Sequence, residues 1–205
     1  MGDSAPASSN GEAALITSEL GLPEVAAIVS AQLAERHIAV SIVGGSAVTL
    51  HAPDIYTSVD IDLAVLTGID RKAIESALRS LGYQRTGRVF QHPKSRFTID
   101  IVADTPYIAD RPITEFAEIN TEFGPVRTLL LEDALADRVA AFLFWSDSQS
   151  LDVAERVVRA RTNALHWDRL TSTLEALDAT DPASAQRLSF AVERLRRAYF
   201  AQRPE

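Results

Sequence analysis

Residues 42–65 read Ile-Val-Gly-Gly-Ser-Ala-Val-Thr-Leu-His-Ala-Pro-Asp-Ile-Tyr-Thr-Ser-Val-Asp-Ile-Asp-Leu-Ala-Val, and this segment decides the fold. A β-branched run predicts a strand over residues 38–43, which stops at a pair of glycines. A short helix is expected over residues 46–50, followed by a loop and a second strand over residues 59–66. Strands and a helix within so short a stretch indicate a protein of mixed α/β class.

Two carboxylates stand on the second predicted strand. Side chains two residues apart in a strand point to the same face, so we expect Asp60 and Asp62 to project together. Val59, Ile61 and Leu63 are then expected to face a core. Paired carboxylates on an apolar strand raise the free energy through like-charge repulsion and desolvation. A cation between them relieves both effects, and the pair therefore predicts a metal site.

The glycine pair supplies a second chemical feature. Gly44 and Gly45 have no side chain, so their backbone can approach a phosphate closely. The turn also leads into a helix, whose N-terminus attracts anions. The Ser46 hydroxyl is expected to donate a hydrogen bond to a phosphate oxygen. A phosphate site beside a metal site is typical of a protein that binds a nucleotide.

The whole chain divides into three predicted regions. Residues 1–12 are small and polar, and we expect a disordered tail. Residues 13–128 alternate helical and strand patterns and predict an α/β domain, with a further strand over residues 96–103 and a peripheral hairpin over residues 115–130. Residues 129–205 show helical spacing alone, which predicts a helical bundle packed on the α/β domain.

A third carboxylate, Asp100, lies within the strand predicted over residues 96–103. If this strand neighbours the one that carries Asp60 and Asp62, all three carboxylates converge. Oxygen-only ligands favour Mg²⁺ or Mn²⁺ over zinc. Two such ions roughly 3.5–4 Å apart can clamp an in-line displacement at phosphorus. The three aspartates are therefore the candidate catalytic and metal-binding residues.

Composition narrows the class of protein. The formal net charge of -8 argues against broad binding of a nucleic-acid backbone, although clusters of arginine leave an RNA end open. The absence of cysteine excludes disulfides and thiolate metal sites. No apolar run reaches the roughly 18 residues of a membrane helix, and the N-terminus does not read as a signal peptide. We therefore expect a cytoplasmic protein that does not contact membranes.

These motifs together resemble those of the nucleotidyltransferase superfamily with a polymerase-β-like fold. The resemblance rests on Gly44-Gly45-Ser46, on Asp60-Ile61-Asp62 and on Asp100 in the run Thr-Ile-Asp-Ile-Val, and it spans roughly residues 40–160. Residues 137–142, followed by Asp152, are also similar to a helical segment of the AbiEii-type nucleotidyltransferases. The best-known members of that group are toxins of type IV toxin–antitoxin systems.

The resemblance implies a nucleotidyltransferase domain with a mixed sheet flanked by helices, followed by a C-terminal helical bundle. It also implies transfer of a nucleoside monophosphate from a nucleoside triphosphate to an acceptor, with Mg²⁺ or Mn²⁺ bound and pyrophosphate released. By this resemblance Gly44, Gly45 and Ser46 bind the triphosphate, and Arg138 contacts its phosphates. The three aspartates hold metal, and Asp100 also helps to deprotonate the acceptor. The chain departs from many relatives at Tyr56, where an arginine is common, and at Arg138, where lysine is common.

Several functions remain open at this point. The acceptor is a tRNA end, a protein or a small molecule, and a toxin would have an antitoxin protein as its partner. One alternative is an aminoglycoside-type nucleotidyltransferase that acts on a small molecule. Another is a non-catalytic module of the same fold that binds a nucleotide or a partner. The lone aspartates could also be solvated strand ends, and Arg138 a surface ion-pair partner.

Overall fold

The computed structural model describes residues 16–68, 70–103, 105–108, 110–177 and 180–201. The predicted disordered tail, residues 1–12, lies outside this part of the chain. No helix within the described ranges is long and apolar enough to cross a membrane.

Seven helices occur in the described ranges. They are α1 (Leu22–Ala34), α2 (Gly44–His51), α3 (Arg71–Ser80), α4 (Leu131–Trp145), α5 (Ser148–Ala160), α6 (Trp167–Glu175) and α7 (Pro182–Phe200). Three of them begin after an aspartate whose carboxylate accepts hydrogen bonds from the first free main-chain N–H groups: Asp70, Asp147 and Asp181. These capping contacts fix the first turn of each of the three helices.

Within the same described residues, nine strands form one large mixed sheet and one small hairpin. They are β1 (Val40–Val43), β2 (Asp60–Val65), β3 (Gln84–Thr86), β4 (Val89–Gln91), β5 (Thr98–Ala103), β6 (Tyr107–Ile108), β7 (Arg111–Pro112), β8 (Phe116–Thr121) and β9 (Gly124–Leu129). The large sheet has the order β3-β4-β5-β2-β1-β9-β8, and β6 pairs with β7. The β2–β5 and β1–β9 pairs are parallel, whereas the other neighbours in the large sheet are antiparallel. A mixed sheet flanked by helices is the fold class that was expected.

Each face of the sheet carries its own apolar core. Ile61 and Leu63 belong to a core that also contains the apolar sides of α1 and α3. Val43 and Ala64 belong to the opposite core, which contains α2 and the buried sides of α4, α5, α6 and α7. We call this second side the site face, because Asp62 pairs in register with Val43 and therefore points to it. The C-terminal helices thus pack against the same side of the sheet that carries the carboxylates.

Two expectations about the strands are corrected. Residues 115–130 do form a hairpin, β8–β9, but β9 is not peripheral, because it pairs with β1 through Ile42 and Thr128. The Thr128 hydroxyl also donates to the Ile42 carbonyl at 3.1 Å. Val59 does not face a core; it is 77% exposed, because β2 begins only at Asp60.

Candidate active site

The glycine turn lies directly against one carboxylate. β1 continues into α2 without a loop, and Gly44 makes this possible by adopting a φ of +61°. A Cβ atom on Gly44 would lie 2.3 Å from Asp62 Oδ2 and 3.2 Å from its Cγ, so the Asp62 side chain or the backbone would have to shift. Glycine is therefore required twice at this position, once for the backbone conformation and once for the close approach.

Ser46 anchors the turn from beneath. Its hydroxyl is buried, donates to the Val43 carbonyl at 2.7 Å and accepts a hydrogen bond from the Asp62 N–H at 3.0 Å. The single hydroxyl proton is therefore committed to Val43. Ser46 joins the start of α2 to β2 and sets the position of Asp62 relative to the glycine turn.

Asp60 and Asp62 share the site face of β2, as predicted. The Ser58 hydroxyl donates to Asp60 Oδ1 at 2.8 Å, which orients the first carboxylate. Burial raises the pKa of Asp62 to about 7, and the negative charge of Asp60 adds to this increase. Arg138 acts in the opposite direction and limits it. The carboxylate pair is therefore a place where added positive charge is stabilised.

Asp100 lies on the same face but has a different partner. It pairs in register with Asp62, and its side chain is nearly buried. The Nε and Nη2 atoms of Arg88 both donate to Asp100 Oδ2, at 3.0 and 2.5 Å. Across the described residues, no three side chains of His, Cys, Asp or Glu are arranged to hold a metal ion. The three carboxylates therefore share one face of the sheet, but in the described residues they do not converge on one metal site as predicted.

The carboxylate pair by itself fits a magnesium–nucleotide complex. Mg²⁺ is usually held by one or two carboxylates together with substrate phosphates and water. Asp60 and Asp62 supply two such oxygen ligands beside the glycine turn, and the charge of Asp60 helps to raise the pKa of Asp62, so a cation beside them would relieve their mutual repulsion.

Arg138 of α4 reaches the glycine turn from the helical side. Its Nη1 atom would lie 3.6 Å from a Cβ atom placed on Gly45, and the Tyr56 hydroxyl would lie 3.1 Å from the same point. The guanidinium forms an ion pair with Asp137 at 2.5 Å and a long hydrogen bond to Ser150 at 3.4 Å. Its Nε is buried and has no hydrogen-bond partner in the described part of the protein. Arg138 thus places a buried positive charge beside Gly45.

A pocket of about 670 Å³ opens next to Arg138. Tyr56 and Arg138 form one end, one side of α5 forms a wall, and Arg194 of α7 closes the other side. Arg194 is held in place by ion pairs to Asp152 and Glu155. Pockets of this volume accommodate molecules the size of a nucleoside or a small metabolite.

The structure brings together five of the seven predicted site residues: Gly44, Gly45, Asp60, Asp62 and Arg138. Ser46 lies beneath them, and Asp100 lies beside them in its pair with Arg88. Sequence reasoning missed the contacts of Ser58 and Arg88. Ser58 was detectable in principle, because it stands two residues before Asp60, whereas the position of Arg88 depends on the β3–β4 hairpin.

No family model matches the chain, and no curated protein is significantly similar to it. Among solved structures, the fold is similar to an antigenic nucleotidyltransferase-like protein from Paracoccidioides brasiliensis, with a TM-score of 0.52, 14% identity and coverage of 90% of this chain and 92% of that chain. JHP933 from Helicobacter pylori gives a TM-score of 0.48 at 14% identity, covering 91% of this chain and 94% of that chain. The antibiotic-resistance factor ANT(2'')-Ia gives 0.43 at 18% identity, covering 88% and 93%.

Proposed function

We propose that this protein, which has a nucleotidyltransferase-like fold, transfers a nucleoside monophosphate from a nucleoside triphosphate to an acceptor and releases pyrophosphate. The observation that carries the proposal is the contact between the glycine turn and the carboxylate pair, where a Cβ on Gly44 would lie 2.3 Å from Asp62 Oδ2. A phosphate bound at the turn is then within reach of a cation bound by Asp60 and Asp62.

Each side chain of the site has a role in this reaction. The first N–H groups of α2 have no partner within the helix, and those near Gly45 and Ser46 can bind phosphate oxygens. Arg138 adds positive charge on the side of α4, where it would contact the same phosphates. The Ser46 hydroxyl keeps its bonds to β1 and β2, so we assign phosphate binding at Ser46 to the main chain.

Asp60 and Asp62 would hold Mg²⁺ or Mn²⁺. When bound, the ion supplies charge neutralisation for the phosphates and lowers the pKa of the attacking hydroxyl. Ser58 keeps Asp60 in the orientation that this requires. Asp100 lies one strand away on the same face; in this proposal it would complete the site and accept the proton of the acceptor hydroxyl.

A transfer assay tests the proposal. The protein is incubated with each labelled nucleoside triphosphate, Mg²⁺, and total cell RNA, protein or small-molecule extract, and the acceptor fraction is analysed for label. We expect transfer by the wild type, loss of at least about a hundredfold in Asp60→Asn together with Asp62→Asn, and little change in Asp168→Asn, which removes an exposed carboxylate on α6. Label transfer that survives the double substitution would contradict the mechanism.

We further propose that the protein belongs to the AbiEii-like group and acts as the toxin of a toxin–antitoxin pair, with an antitoxin protein as its partner. The similarity of residues 137–142 and Asp152 to that group supports this proposal. Induced expression is then expected to arrest growth, and the Asp60→Asn, Asp62→Asn variant is expected to be harmless at the same expression level. Unimpaired growth with confirmed expression of the wild type would count against a toxin.

A small-molecule acceptor is the second candidate for the same reaction, because the 670 Å³ pocket beside Arg138 is of suitable size. Unlike the toxin proposal, this candidate predicts that expression of the wild type raises resistance to an aminoglycoside. A panel of such compounds with unchanged inhibitory concentrations would remove this candidate.

The Arg88–Asp100 pair favours a third candidate, a module that binds a nucleotide without turnover, because it engages one of the expected catalytic carboxylates. Calorimetry with each nucleoside triphosphate and Mg²⁺ separates this candidate from the enzyme. Tight binding without pyrophosphate release in any acceptor fraction would support the binding module, whereas pyrophosphate release would exclude it.

A further inference from the structure

The β3–β4 hairpin places a positive charge on the third carboxylate. Arg88 follows Gly87 in the turn, and β4 pairs with β5 at Val89 and Asp100. The Arg88 side chain is 83% exposed, whereas the side chain of Asp100 is only 9% exposed. An exposed cation therefore neutralises a nearly buried anion.

The two partners differ in what separation would cost. An exposed arginine returns to water at little loss. Asp100 would be left as a buried charge without a partner, which is strongly unfavourable. Opening of the pair is therefore favourable only when another cation reaches Asp100.

A second cation has a binding place close by. Asp100 pairs in register with Asp62 on the neighbouring strand, so the two carboxylates lie side by side on the site face. A divalent cation shared with Asp62 would have to be bound by the Asp100 carboxylate, which the guanidinium of Arg88 already neutralises. Arginine stays protonated at all ordinary pH values, so it does not leave by losing its charge.

We propose that Arg88 is a positioning residue that competes with the divalent cation for Asp100, so that the third carboxylate joins the site only when the cation displaces the guanidinium. This inference rests on the proposed metal-dependent function. It assigns to Arg88 an effect opposite to that of an ordinary supporting residue, because its removal strengthens metal binding.

Binding of Mn²⁺ alone, measured by calorimetry, tests the competition. We expect Arg88→Gln to bind Mn²⁺ about fivefold more tightly than the wild type. Arg85→Gln is the matched control, because Arg85 carries the same charge on the same hairpin but donates to the main-chain oxygen of Gly87. This control should stay within about twofold of the wild type, as expected for a charge that contacts no carboxylate.

A double substitution identifies the group through which Arg88 acts. In an Asp100→Asn background, Arg88→Gln should no longer change the affinity for Mn²⁺, because the carboxylate for which Arg88 and the cation compete is gone. Arg88→Lys, which keeps the charge but loses the fork of donors, is expected to bind Mn²⁺ with intermediate affinity. Circular dichroism and thermal unfolding of each variant show whether it is folded.

The outcomes separate this inference from the proposed function. If the wild type binds Mn²⁺ and the Asp60→Asn, Asp62→Asn double variant does not, the metal site is supported. This result does not depend on the affinity of the Arg88 variants. If Arg88→Gln then binds no more tightly than Arg85→Gln, or if its gain persists with Asp100→Asn, the competition is overturned and the metal site stands. If neither the wild type nor Arg88→Gln binds Mn²⁺, the competition is overturned, and the proposed function is decided separately by the transfer assay, in which the phosphates of the nucleoside triphosphate also bind the cation.

Discussion

At the scale of single residues, the site depends on Gly44, which is needed both for its backbone conformation and for its close approach to Asp62. The two effects can be measured separately. Gly44 and Gly87 both have positive φ angles, +61° and +64°. A Cβ on Gly44 would meet Asp62, whereas one on Gly87 would have nothing within 4 Å. The two positions therefore share the backbone strain and differ in the contact.

We expect Gly87→Ala to lower the free energy of unfolding by about 1 kcal/mol, which is the usual penalty of a left-handed conformation for alanine. Gly44→Ala should lower it by at least about 2 kcal/mol more, because β1, α2 or Asp62 must move. Urea unfolding of both variants measures the difference. Equal losses would mean that the approach to Asp62 is not a constraint.

Asp62 predicts a dependence of stability on pH. Its pKa is about 7 in the folded protein and 3.8 without the fold, so the folded state binds the proton more tightly. Stability contributed by this group is therefore present below about pH 4, falls as the pH rises toward about 7, and is lost above that value.

The Asp62→Asn substitution replaces the carboxyl group with an amide that does not ionise, and it therefore removes this dependence of stability on pH. With EDTA present, we expect the substitution to raise the free energy of unfolding near pH 8 by at most about 4 kcal/mol, and to have little effect near pH 4. Denaturant unfolding at the two pH values is the measurement. An equal gain in the free energy of unfolding at both pH values would show that the effect is not due to ionisation of Asp62.

At the scale of elements, the junction between α2 and β2 depends on a single hydroxyl. Ser46→Ala removes the acceptor of the half-buried Asp62 N–H, and we expect a loss of about 1–3 kcal/mol in the free energy of unfolding. Ser80→Ala is the control, because that hydroxyl also donates to a carbonyl, of Ala77 at 2.7 Å, but lies on the exposed side of α3. A loss in Ser46→Ala no larger than in the control would contradict the anchoring role.

The elements show what the sequence could and could not predict. The first two strands, the short helix between them, the strand of Asp100 and the hairpin over residues 115–130 were predicted to within a few residues, because glycines and apolar periodicity act locally. The shared face of Asp60 and Asp62 also follows from the period of a strand. The central position of β9 and the pairing of Arg88 with Asp100 could not be predicted, since both depend on which distant strands become neighbours. Val59 was assigned wrongly, because the apolar alternation continues past the first residue of β2.

At the scale of the whole molecule, the core on the site face connects the sheet to the C-terminal helices. It joins Val43, Val48 and Ala64 to buried residues of α4 such as Leu143. Both tryptophans, Trp145 and Trp167, lie in the helical part of the chain. Their fluorescence therefore reports on the helices, while hydrogen exchange of β2 reports on the sheet.

We expect both probes to show the same unfolding midpoint, because one core stabilises both parts. Leu143→Ala should lower the free energy of unfolding by about 2–4 kcal/mol as measured by either probe. The control is Phe144→Ala at the neighbouring position, which is 44% exposed and should lose less than about 1 kcal/mol. Separate midpoints for the two probes would show that the parts unfold independently.

The direct passage of β1 into α2 has a consequence for how such a sequence can change over evolutionary time. No spacer separates Val43 from Gly44, and Ser46 fixes the helix start to Asp62. Insertions and deletions are therefore expected to collect in residues 53–55, between α2 and β2, since Tyr56 lies beside Gly45 and Ser58 orients Asp60. Chains of the same descent should be recognised by this junction of strand and helix, and a fixed spacing from the glycines to the aspartates would be a misleading search criterion.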